Sequence, residues 1–162
     1  LKAITIHQPW ASLIAYGHKK FETRSWKTNY RGPIAIHASK KRDMEFIWEL
    51  KNKYPEIWQA IPAFPTGAIV AVAELAECWR MVYHPGPDVG RAKHIPFGAE
   101  ADVPRDHPNF SRYIVPTETE KMFGDWRTGR YAWELANVRL LPDPIPAKGQ
   151  QGLWNWGVDE DG

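Results

Sequence analysis

Residues 67–77 read Gly-Ala-Ile-Val-Ala-Val-Ala-Glu-Leu-Ala-Glu, an apolar run that glycine opens and small or β-branched side chains dominate. A run this short and this apolar is a strand buried inside a sheet. Such a strand needs neighbours to take up its backbone hydrogen bonds, and the rest of the chain offers them. Residues 2–7 (Lys-Ala-Ile-Thr-Ile-His) alternate and are β-branched; residues 130–141 alternate as well. Residues 19–24 and 33–37 read as two further strands across a Lys-Thr-Asn-Tyr-Arg-Gly turn region, and Gly152 to Trp156 reads as a closing strand.

Helices are few. Residues 9–16 form a short one, with Pro9 in the first turn and Gly17 just past the end. Ser39 is placed to cap a helix from about Lys41 to Lys53, whose apolar stripe is Met44, Ile47, Trp48 and Leu50. Thr117-x-x-Glu120 is a capping box for a helix through Phe123. Residues 83–115 are rich in proline and poor in pattern, a long excursion of the kind that serves as a lid or binding loop. The expected fold is mixed α+β: a mostly antiparallel β-barrel with peripheral helices, in a single domain over residues 1–162.

Composition agrees with an ordinary globular chain, 43% hydrophobic and 25% charged. Cys78 is the lone cysteine, which excludes an intrachain disulfide and favours a reducing compartment. The sequence shows no secretory signal pattern and no apolar run of the ~20 residues that a bilayer span requires. A cytoplasmic protein with no membrane partner is expected. Charge is uneven: residues 1–42 hold nine cations and one anion, for +8, and the remainder carries −6. Such asymmetry points to an anionic partner for the basic third. Nine tryptophans exceed ordinary usage; most belong in a core, and a few are available for base stacking.

Three segments carry a resemblance. Residues 4–14 read Ile-Thr-Ile-His-Gln-Pro-Trp-Ala-Ser-Leu-Ile. Residues 17–26 fit the pattern G-x-K-x-x-E-x-R through Gly17, Lys19, Glu22 and Arg24, and residues 30–40 supply the strand that follows. With the late segment from Pro146 to Trp156, the chain resembles the ASCH family. The resemblance implies a PUA-like barrel with a cleft holding Lys19, Glu22 and Arg24. Such domains commonly bind RNA. Some members are amidohydrolases acting on acetylated cytidine, others are assigned ribonuclease activity, and the family's link to transcription coactivators implies protein partners.

The residues themselves are compatible with that cleft. On a strand, Glu22 and Arg24 project from one face, while Lys19 joins them only if the strand starts late or bulges after Gly17. Arg24 offers a bidentate fork for a phosphate or base edge. Gln8 sits where a strand turns into a helix; its amide either reads a base edge or caps the helix. Ser25 and Trp26 extend the motif, Trp26 as a candidate aromatic wall. Lys40, Lys41 and Arg42, at the expected start of a helix, are candidates to guide a phosphate backbone.

No cofactor is implied. Cys78, His84, His94 and His107 match no compact zinc spacing, so no metal is expected. RNA or a modified nucleotide is the expected ligand, bound by Gln8, Lys19, Glu22, Arg24, Ser25, Trp26 and Lys40. The alternatives are a hydrolase, either an amidohydrolase on acylated nucleosides or a ribonuclease, with Lys19 and Glu22 catalytic, and a protein-interaction module. In the small acetylcytidine-hydrolysing members a threonine aligns with Glu22, which ranks binding ahead of hydrolysis.

Overall fold

In the computed structural model, residues 1–83, 97–101 and 113–157 are described. Their strand order is β2-β7-β4-β3-β1-β8, with β5 added to β4 and β6 to β5. These are β1 (Lys2–Gln8), β2 (Phe21–Arg24), β3 (Gly32–Arg42), β4 (Ala68–Tyr83), β5 (Phe97–Ala101), β6 (Tyr113–Ile114), β7 (Tyr131–Pro146) and β8 (Leu153–Asn155). The helices are α1 (Trp10–Ala15), α2 (Met44–Lys53), α3 (Pro55–Ala60) and α4 (Glu118–Phe123). The fold is mixed α+β and mostly antiparallel, as the strand patterns require. Among the described residues the hydrogen-bonded path ends at β2 and β8 without closing on itself. No described helix is long and apolar enough to cross a membrane.

Two compact units emerge. The first comprises Leu1–Lys19, Gly32–Glu74 and Ala136–Gly162; the second comprises Lys20–Arg31 and Leu75–Leu135. The long strands β4 and β7 supply residues to both.

In the first unit β1 pairs in parallel with β3, from Lys2↔Ile34 to Ile6↔Ala38, and antiparallel with β8. Period-two alternation sorts their side chains. Ile4, Ile6, Ile34, Ile36 and Ala38 are buried, while Ala3 and Ala35 pack on the other side with Ile69 and Trp154. A parallel pair needs a crossover, and here the connection leaves through α1 and returns from the second unit. All of Ala11 to Ala15 in α1 is buried. The prolines at 142, 144 and 146 alternate along β7, so their missing N–H groups fall on one edge, which has no donors at those positions.

The start of α2 departs from the sequence expectation. Lys40, Lys41 and Arg42 continue β3 instead of opening a helix, and the cap is Asp43, whose Oδ1 accepts from Phe46 N at 2.9 Å. The cause is pairing: Arg42 falls opposite Gln8, and Asp43 N donates to Gln8 O at 2.8 Å. Ser39 therefore serves the strand end, with its Oγ 3.2 Å from Lys41 N.

In the second unit β2 lies antiparallel to β7, from Phe21↔Glu134 to Arg24↔Tyr131. Trp79, Met81, Trp126 and Ala132 form one core cluster, with Phe21 and Ile114 against it. Thr117 caps α4 through Oγ1, 3.1 Å from Glu120 N. The other half of the expected capping box is diverted: Glu120 Oε1 accepts from Lys20 N. Of the 83–115 excursion, only β5, β6 and the ends are described; His84, His94 and His107 lie outside the described residues.

Candidate functional site

The motif strand β2 begins late, at Phe21. Before it, Gly17 takes φ +82°, and the N–H groups of His18 and Lys19 both fold back onto Leu13 O, at 2.8 and 3.1 Å. Those two bonds satisfy a carbonyl left open at the end of α1, and they keep Lys19 out of the strand. Lys19 is buried, only 2% exposed, in the first unit. Glu22 and Arg24 belong to the second unit.

Glu22 and Arg24 share a strand face, as their spacing requires. Glu22 Oε1 stands 3.2 Å from Arg24 Nε, and both side chains keep partial solvent access. The register sets Glu22 opposite Trp133 and Arg24 opposite Tyr131, so all four side chains lie on one side of the β2–β7 ribbon. Trp133 is fully buried. The Trp26 ring meets it edge to face at 4.7 Å and 89°, yet Trp26 itself remains 37% exposed. That geometry fixes an aromatic ring while leaving surface for a ligand. Ser25 and Lys27 beside it are exposed. On the opposite side of β2, Phe21 packs edge to face on Trp126 at 5.5 Å and ties the strand to the core.

The segment Lys20–Arg31 carries four cations, Lys20, Arg24, Lys27 and Arg31, against Glu22. Arg31 is engaged by Glu77, Nη2 to Oε1 at 2.7 Å. Further along the unit, the Arg127 side chain, hydrogen-bonded to Asp125, holds the Asp125 carboxyl below its usual range.

Gln8 is placed differently from a groove-reading amide. It is fully buried, and its Nε2 donates to Ser12 Oγ at 2.8 Å and to Pro65 O at 2.7 Å. Its Oε1 accepts from Ser12 N at 3.0 Å. Pro9, the capping position of α1, has no side-chain acceptor to offer, so the preceding residue supplies one. Lys40 is exposed near the end of β3, its stem alongside Gly67. The described residues bring no three His, Cys, Asp or Glu side chains together as metal ligands.

Sequence reasoning missed Tyr131 and Trp133. Their alternation along residues 130–141 put both on one strand face, but only the pairing of β2 with β7 shows that this face carries Glu22, Arg24 and Trp26.

A mostly antiparallel α+β sheet, opened by His-Gln-Pro-Trp and carrying the Lys19, Glu22 and Arg24 spacing, defines a small β-rich domain of the ASCH class. The ASCH domain model matches residues 4–142, and the chain belongs to that family. It is similar to Activating signal cointegrator 1 of Homo sapiens, with 32% identity over 101 residues, 58% of this chain and 17% of that protein. The Mus musculus protein of the same name is 35% identical over 80 residues, 46% of this chain and 14% of that protein. The chain thus spans less than a fifth of the length of these curated relatives.

Proposed function

We propose that this ASCH domain binds single-stranded RNA or a nucleotide on the β2 face of its second unit. The carrying observation is Trp26, a partly exposed ring packed edge to face on buried Trp133 and followed by Lys27. Aromatic surfaces next to cations are what sequence-tolerant single-strand binding uses, because every base has a face to stack. Arg24 supplies the charged fork, and Glu22, 3.2 Å from its Nε, reduces the local positive charge. Lys19, with 2% exposure, offers little accessible ammonium to a ligand. The name of the relatives, a cointegrator of activating signals, supports a regulatory setting with protein partners as well.

The test is anisotropy of a labelled single-stranded RNA across a salt series. Affinity is expected to fall as salt rises, because phosphate contacts release counterions. Absence of binding to RNA and to nucleotides up to millimolar concentration would remove the proposal.

A further inference from the structure

Within the first unit, a groove of about 950 Å³ lies between the later part of β3 and the segment that follows β7. That segment is tied at Ala147, whose N–H donates to Gly67 O at 3.0 Å and whose carbonyl is 2.7 Å from His37 Nε2. A carbonyl cannot donate, so Nε2 carries the proton, and in the neutral ring Nδ1 is a bare lone pair. Nδ1 is buried and has no hydrogen-bond partner among the described residues. Gly149 lies directly against this ring: a Cβ there would stand 2.7 Å from His37 Cε1 and 2.9 Å from Nδ1. The floor is therefore closely packed, built from the His37 ring edge and the Gly149 backbone.

The rim has the opposite character. Lys40 and Lys148 line the groove, and among its described lining residues there is no carboxylate. Lys40 runs its stem along Gly67, where a Cβ would lie 3.7 Å from Cγ and 3.8 Å from Cε. The amides of Gln150 and Gln151 add neutral donors and acceptors. Two ammonium groups, with no acid among the described lining residues, favour a doubly charged anion over a carboxylate. The volume lies within the range of small-molecule sites.

We propose that this groove binds the phosphate of a nucleotide, with Lys40 and Lys148 holding the phosphate at the rim and Gln150 and Gln151 contacting the nucleoside. Ala147 and Gly149 position that rim through His37. The inference uses other residues than the Arg24–Trp26 face and does not rest on it.

The test is ¹H–¹⁵N NMR of the whole chain titrated with uridine 5′-monophosphate and, separately, with the trinucleotide UpUpU lacking terminal phosphates. Saturable shifts in the amides of residues 148–151 are expected. The variant carrying Lys40→Ala and Lys148→Ala should bind about tenfold or more weakly. Both lysines are exposed, so the variant should keep a dispersed spectrum. Saturation by the monophosphate identifies a terminal, doubly charged phosphate; saturation by UpUpU alone, whose internal phosphodiesters carry one charge each, would overturn the proposal. Trp26→Ala should leave these shifts in place even if it abolishes binding of longer RNA. No saturable shift from either probe at millimolar concentration would overturn the proposal. So would equal affinity in the double-lysine variant, or loss of the shifts in Trp26→Ala.

Discussion

Replacing Gln8 by alanine separates a structural amide from a ligand-reading one. The side chain makes three hydrogen bonds inside the first unit, two as donor and one as acceptor. Each is worth about 1 kcal/mol net, and a buried group left without a partner costs about 1–3 kcal/mol. The substitution strands Ser12 N, Ser12 Oγ and Pro65 O together, and some of these groups recover water. A loss of roughly 3–5 kcal/mol follows. For a chain of this size each kcal/mol moves the melting temperature by roughly 2–4 °C, so Tm should fall by about 10 °C. Urea unfolding followed by tryptophan fluorescence measures the free energy, and thermal circular dichroism measures Tm. RNA affinity, taken well below the melting transition, should stay within about twofold of the parent. Near-parental stability together with lost RNA binding would refute this reasoning and return Gln8 to the ligand.

Three further outcomes are expected. Trp26→Ala should weaken RNA binding by about 1–3 kcal/mol, the usual worth of one base–aromatic stack, with a smaller effect on stability; anisotropy and urea unfolding report the two quantities. Gly124→Ala should destabilise by about 1–3 kcal/mol, because its Cβ would stand 2.9 Å from Thr23 Cγ2 and 3.1 Å from Trp126 Nε1; thermal unfolding checks it. Asp125 has its pKa lowered, chiefly by the hydrogen bond from Arg127. Its contribution is therefore fully present above the ordinary carboxylate range and lost as pH falls through the folded-state value. Asp125→Asn should make the acid limb of a stability–pH curve shallower, and only slightly, since Arg127 is 78% exposed and water screens the pair. An unchanged acid limb would deny Asp125 that role.

Part of the β2 face and the turn before it were legible locally. The two-residue spacing of Glu22 and Arg24 required a common face, and they share one, 3.2 Å apart. The glycine after α1 announced a turn, and Gly17 adopts φ +82°. What stayed hidden depends on partners far along the chain. Glu120 reads as half of a capping box, yet its carboxylate holds Lys20 N, a hundred residues away. Nothing near Trp26 indicates that its ring rests on Trp133.

The sequence by itself determined the elements whose cause is local. Alternation made β1, a nearly unbroken apolar run made the start of β4, and Thr117 capped α4 through a hydroxyl three residues from the N–H it serves. These follow from periods and caps that operate within a few residues. Only the tertiary structure decided where competing local signals were equal. Residues 40–42 could open a helix or extend a strand, and the backbone of β1 settled it by pairing Gln8 with Arg42. Lys19 could point to solvent or inward, and folding back onto Leu13 O placed it in a buried position. The strand choice at residues 40–42 rests on hydrogen bonds from β1, far along the chain, whereas the fold-back onto Leu13 O is local to the end of α1 and only the burial of the Lys19 side chain depends on remote packing.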